Sequence, residues 1–313
     1  TVKQLLNLTA FCKKVQIPFE VYAFTNEWQR ALRAKSNEPD SGYGYYSSYS
    51  RTYEGLEKDT IYINEKEFHL MNFLSSRSNP KDYERQCRNI FREAYAFSCR
   101  NTTYHWTTGL ELSGTPLNEA IVMLNYIIPS FKRQNDLQRV NVCVLTDGDS
   151  NGISYGSSYQ YDEEDTTIRP RTVDYGNVAL RDRKTGIVYP TMGYHEATVT
   201  FIQQVRDRFP EVNVLGFRLL PGSRLSEFVA RFGTYEKYEE VQKQWRKDKS
   251  AVVPEPKGYS ALYAISSKDL ENDNEFVVKE NAKKGDITRA FKKMLKSKST
   301  NKKLLNSFVS HVA

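Results

Sequence analysis

Residues 112–152 read LSGTPLNEAIVMLNYIIPSFKRQNDLQRVNVCVLTDGDSNG. Leu117, Ala120, Ile121, Leu124, Ile128 and Phe131 recur at the spacing of one helix face, which predicts an amphipathic helix. The apolar run Val140–Thr146 follows and predicts a buried strand that stops at Thr146-Asp147-Gly148. The unit sets a hydroxyl, Thr115, at a helix start and a carboxylate, Asp147, at a strand end. In an open α/β sheet both positions fall at the carboxyl edge, where ligands bind. Hydroxyl and carboxylate oxygens are hard donors of the kind Mg²⁺ prefers, so the stretch predicts a divalent-ion site on a doubly wound sheet.

The pattern continues on both sides. Residues 2–15 carry Leu5, Leu8 and Cys12 on one helical stripe, with Pro18 as a stop, and FEVYAFT (19–25) reads as a strand. IYINEKEFHLMNFL (61–74) supplies one or two strands near a sheet edge, and Asn79-Pro80 opens a helix. Downstream, VALRDRKTGIVY predicts a hairpin turning at Lys184-Thr185-Gly186. Glu196–Phe209 is helical up to Pro210, and VNVLGFRLLP (212–221) is a buried-type strand. Ser223 is placed to cap a helix ending at Gly233; Tyr235–Lys249 is a charged helix, YSALYAIS (259–266) a last strand, and Asp286–Leu295 the start of a basic helix. Helices alternating with apolar strands predict the α/β class: a doubly wound, mostly parallel sheet covered by helices on both faces.

With these elements in place, the chain resembles a von Willebrand factor A (VWA) domain. In that family three loops build a metal-ion-dependent adhesion site: a DxSxS motif after the first strand, a Thr in a G-T-P-L-like turn, and an Asp in a T-D-G after an apolar strand. Ser113-Gly114-Thr115-Pro116-Leu117 matches the second element and Thr146-Asp147-Gly148 the third, one helix and one strand apart. The resemblance implies that Thr115 binds the ion through its hydroxyl and Asp147 directly or through a water. It implies Mg²⁺, or another divalent cation such as Mn²⁺ or Ca²⁺. No Asp-x-Ser-x-Ser occurs in the chain. Because helix 2–15 and strand 19–25 match the family's first helix and second strand, the central first strand and its DxSxS loop are expected upstream of Thr1. The wording GTPLNEA…VLTDGDSNG is closest to bacterial and phage VWA proteins related to the cobalt-chelatase T subunit. Such proteins commonly work with a MoxR-like AAA+ ATPase.

Composition bounds the alternatives. The chain of 313 residues is 39% hydrophobic, enough for a sizeable core, and no apolar run approaches the roughly 20 residues of a membrane span. The four Cys (Cys12, Cys87, Cys99, Cys143) and four His (His69, His105, His195, His311) are scattered without zinc-like spacing. Cys12 and Cys143 sit among apolar residues and read as small buried hydrophobes, which fits a reducing, cytoplasmic setting. The net charge of +7 is concentrated: residues 279–303 hold ten Lys and Arg against Glu280 and Asp286. Such a segment is a solvated helix face or a surface for acidic protein or nucleic acid. There is no G-x-S-x-G elbow, P-loop or HExxH, so catalysis has little support.

Each site residue also has a plainer reading. Thr115 can be a helix N-cap ahead of Pro116, and Asp147 a turn former ahead of Gly148. Asp149, Ser150 and Asn151 are outer groups of an ion site or a polar turn. The acidic run Asp162–Asp165 lacks calcium-loop spacing. Tyr43, Tyr45, Tyr46, Tyr49 and Arg51 form a recognition surface or a plain insertion.

The expected organisation is a VWA-like domain over 1–232, with insertions at about 26–60 and 148–194, and an extension over 233–313 bearing the charged helix, last strand and basic helix. The expected function is a divalent-metal-dependent protein-interaction module whose partner offers an acidic residue, in a bacterial or phage-infected cytoplasm. The alternatives are a structural scaffold of a viral or other large assembly, such as a virion component, and a chelatase-like or metal-dependent enzyme subunit.

Overall fold

The computed structural model describes residues 2–26, 55–64, 68–98, 107, 109–110, 114–146, 148–158, 167–173, 178–193 and 196–266. Asp147, His105, His195, the Tyr-rich loop, the acidic run 162–165 and the basic segment 279–303 lie outside these residues. In chain order the elements are α1 (Val2–Lys14), β1 (Glu20–Thr25), β2 (Ile61–Tyr62), β3 (His69–Ser75), α2 (Pro80–Ser98), α3 (Leu117–Asn135) and β4 (Val140–Thr146). There follow β5 (Ser154–Ser157), β6 (Arg169–Thr172), β7 (Val178–Arg181), β8 (Val188–Met192), α4 (Ala197–Arg208), β9 (Val212–Leu220), α5 (Leu225–Phe232), α6 (Tyr238–Asp248), β10 (Ser250–Val252) and β11 (Ala261–Ser266).

The protein is mixed α/β, and its central sheet has the order β10-β11-β9-β4. β4, β9 and β11 run parallel, while β10 joins the edge antiparallel. Strands from both sides of residue 232 therefore share one sheet. β9 is apolar on both faces, as a central parallel strand must be when helices cover both sides. Val212, Val214 and Leu220 enter the larger core with Leu117, Ile121 and Ile128 of α3 and Phe201, Ile202 and Val205 of α4. Leu215 and Phe217 point the other way, into a second core with Leu8, Phe11 and Cys12 of α1.

Local chemistry explains the element ends. α1 closes four residues before Pro18: Gln16 adopts a left-handed conformation (φ 60°), Ile17 N–H donates to Cys12 O and Gln16 N–H to Lys13 O, the bonding pattern of a Schellman motif. Asn79 caps α2, its Oδ1 accepting from Asp82 N–H at 2.9 Å, and Pro80 takes the first helical position, where no N–H is needed. Ser223 does not cap α5. It lies in a 3₁₀ turn, Gly222–Arg224, and the residue at the cap position is Arg224, without a side-chain cap bond. The charged helix also opens with a 3₁₀ turn, Tyr235–Lys237, before α6 begins.

The smaller sheets are antiparallel. β1 pairs with β3, and β2 pairs with β5, which pairs with β6. The 61–74 stretch thus feeds two different sheets. The expected hairpin forms from β7 and β8, with Gly186 at φ 76° in its turn. Cys12, Cys87 and Cys143 are free thiols. Burial pushes the thiols of Cys12 and Cys143 up to about 12, so both are inert apolar fillers at neutral pH. Among the described residues no helix is long and apolar enough to cross a membrane.

Candidate functional site

The carboxyl ends of β4 and β9 meet the start of α3. A parallel strand preceded by a helix brings that helix's N-terminus to the strand's far end, so the Gly114–Leu117 turn faces the loop after Thr146. Three sets of bonds hold the two loops together. Thr115 O accepts from Asn151 N–H at 2.8 Å and from Leu117 N–H at 2.8 Å. Asn118 N–H donates to Ser150 Oγ at 2.9 Å, and Asn118 Nδ2 donates to Asn151 O at 3.0 Å. Asn118 is fully buried, and its Oδ1 accepts from Thr198 Oγ1 at 2.7 Å, tying the same point to α4.

These bonds bear on the capping reading of Thr115. α3 starts at Leu117, the residue at its cap position is Pro116, and no side chain of its own turn caps it. Ser150, from the loop after β4, takes the N–H of Asn118, which has no partner within the helix. The Thr115 hydroxyl is therefore not spent on the helix. It lies against Gly148: a Cβ at Gly148 would sit 2.8 Å from Thr115 Oγ1. Gly114 is equally constrained, since a Cβ there would press on Asn151 Nδ2 and stand 2.7 Å from Asn26 Nδ2. Two glycines thus let the two loops approach where side chains would separate them. Asn26, directly after β1, brings a third chain segment to the same place.

The loop around position 147 is pinned on both sides. Thr146 Oγ1 accepts from Gly148 N–H at 3.2 Å and lies 3.0 Å from Gly148 O. Arg218 of β9, in register with Thr146, donates to Gly148 O and to Asp149 Oδ1. Arg231 of α5 donates to Asp149 Oδ2 and lies 3.3 Å from Glu227. Ser150 and Asn151 thus act as loop ties and Asp149 as an ion-pair centre. Tyr259 is buried beside this cluster; burial raises its hydroxyl above the usual range, Arg218 opposing and Asp149 adding to the shift.

Glu119 lies in the first turn of α3. Its Oε2 is buried without a hydrogen-bond partner, and burial pushes the carboxyl up to about 7. Among the described residues no three His, Cys, Asp or Glu side chains converge as a metal-binding group. Thr115 is therefore placed at the loop that carries Asp147, while Asp147 itself is outside the described residues. Sequence reasoning missed Arg218 and Arg231. They stand 69 and 82 residues from Asp149, in a strand and a helix whose apolar periodicity gives no hint of a shared ion pair.

No protein-family model matches the chain, and no curated protein or solved structure is significantly similar to it. The class of the molecule rests on its own geometry: an α/β protein with a mostly parallel sheet and a two-loop cluster at that sheet's carboxyl edge.

Proposed function

We propose that this chain is a VWA-type module that binds a protein partner through a divalent ion held by Thr115 and Asp147. One observation carries the reading: Thr115 Oγ1 rests against Gly148, the neighbour of Asp147, with its hydroxyl free of any helix-capping role. The donors fit the group. A hydroxyl and a carboxylate are hard oxygens suited to Mg²⁺, Mn²⁺ or Ca²⁺, and Gly114 and Gly148 let the two loops come into contact.

A bound divalent ion supplies an open coordination position that an acidic residue of the partner fills. The chain's part is to hold the oxygens still: Ser150 and Asn118 fix the two loops to each other, and Thr198 fixes them to α4. The partner class proposed is a MoxR-like AAA+ ATPase, by analogy with the family.

Titration of the 313-residue chain with Mn²⁺, followed by the free-ion paramagnetic resonance signal, tests the reading. Saturable binding that is lost in Asp147→Ala and in Thr115→Ala is expected. Binding unchanged in both variants, or absent in the wild type, overturns it.

A further inference from the structure

We propose that Arg218, Arg231 and the Tyr259 hydroxyl form a binding site for a phosphoryl group, which the Asp149 carboxylate occupies as a built-in competitor. The site lies beside the loop cluster at the sheet's carboxyl edge. It uses no metal ion, so it goes beyond the ion-binding reading and does not depend on it.

Two cations converge there on one carboxylate. Arg218 of β9 donates to Asp149 Oδ1 and Arg231 of α5 to Asp149 Oδ2. Arg218 is anchored by its other terminal nitrogen, which donates to Gly148 O. The two side chains are only 13% and 22% exposed, so packing fixes their directions. Guanidinium groups set around two oxygens suit a phosphate as well as a carboxylate.

Tyr259 supplies the third group. Gly216 precedes Arg218 by two residues on β9, so both face the same side of the sheet. A Cβ at Gly216 would stand 2.7 Å from the Tyr259 ring; its absence lets the ring lie on the strand beside Arg218. Tyr259 is 6% exposed and lines the same cavity as both arginines. Its hydroxyl has no hydrogen-bond partner among the described residues. A buried donor left unpaired is costly, and a ligand oxygen in the cavity would satisfy it.

Charge selects the ligand. Glu227, the other acid paired with Arg231, is 64% exposed, where water screens it. The two arginines therefore share one well-placed counter-charge. Asp149 is held through its side chain by these arginines alone among the described residues. The cavity of about 20 Å³ admits one water-sized group, so a larger ligand enters only as Asp149 leaves. A monocarboxylate would replace Asp149 with the same charge and gain nothing. A phosphate dianion matches both guanidinium charges and has an oxygen left for Tyr259.

The test is calorimetric titration of the full chain with inorganic phosphate in metal-free buffer, at an ionic strength fixed with chloride, with circular dichroism to verify folding. Asp149→Asn removes the competing charge, so the open site is more populated and phosphate should bind about 10-fold tighter or more. Tyr259→Phe leaves every ion pair in place and should weaken binding by about 10-fold, in the wild-type and the Asp149→Asn backgrounds alike. Acetate should bind at least about 10-fold more weakly than phosphate. Phosphate binding no tighter in Asp149→Asn, or equal with and without the Tyr259 hydroxyl, overturns the site. Equal affinity for acetate overturns the phosphoryl assignment. If Asp149→Asn does not fold, Tyr259→Phe against the wild type decides alone, and a wild type that binds no phosphate then overturns the proposal.

Discussion

Asp182 and Arg208 form a buried two-pronged ion pair beneath the β7–β8 hairpin. Arg208 Nε donates to Asp182 Oδ2 at 2.8 Å and Nη2 to Oδ1, and the Asp182 carboxylate is fully withdrawn from solvent. Gln204 Nε2 adds a bond at 2.6 Å, and the backbone N–H groups of Lys184 and Thr185 donate to Oδ1 at 2.8 and 3.3 Å. One carboxylate thus closes the hairpin turn and docks it on α4.

Removing that carboxylate leaves Arg208 buried without its counter-charge. Asp182→Ala should destabilise the protein by about 3–5 kcal/mol, read as a lower urea midpoint. A loss below about 1 kcal/mol would mean that solvent replaces the pair at no cost.

The same pair makes an acid prediction. Burial acts to raise the Asp182 carboxyl, but the bonds from Arg208, Gln204 and the turn N–H groups outweigh it and hold the group well below the usual carboxylate range. A pKa depressed on folding contributes stability that is fully present above the unfolded value of about 3.9 and is lost as pH falls towards the folded value. Stability should therefore drop between about pH 4 and pH 2, and Asp182→Asn should flatten that part of the curve. Identical acid limbs in the two proteins would exclude this carboxylate as the cause.

Glu119 has the opposite sign. Its carboxyl is raised to about 7 by burial, so the folded state binds a proton that the unfolded chain releases near 4.3, and stability falls as pH rises between those values. Glu119→Gln should raise the melting temperature at pH 8, corresponding to about 1–3 kcal/mol, and make little difference at pH 4. A Gln variant that melts with the wild type at pH 8 contradicts this assignment.

Ser150→Ala removes the cap that β4's loop lends to α3. Loss of such a cap costs about 1 kcal/mol, and here it also loosens the contact between the two site loops. Hydrogen exchange at the first turn of α3 should quicken more than at its centre. Equal protection in the mutant would show that another group takes the Asn118 N–H.

Gly148→Ala puts a methyl 2.8 Å from Thr115 Oγ1. The fold should survive, because the loop can shift, at a cost of about 1–3 kcal/mol. The hydroxyl is displaced from the site, so Mn²⁺ affinity should fall more than stability does. An alanine variant that binds Mn²⁺ as the wild type does would place the ion away from Thr115.

Much of this fold is written locally. The 3.6-residue stripe of α3 and the unbroken apolar runs of β4 and β9 demand a helix and buried parallel strands, whatever surrounds them. The spacing of Gly114-Thr115 and Thr146-Asp147-Gly148 places both loops at one sheet edge because a single helix and strand separate them. Pairing is another matter. β2 and β3 are only a few residues apart yet enter different sheets, and β10, three residues long, is too short for a periodic signal. The helix cap comes from Ser150 rather than from Thr115, and the grip on Asp149 comes from Arg218 and Arg231. Hydrophobic period and turn chemistry act between neighbours along the chain, so the sequence by itself determines the elements and the sheet edge that carries the two loops. Caps, ion pairs and loop clamps join groups brought together only by packing across the sheet, so the tertiary structure alone decides which side chains tie those loops together.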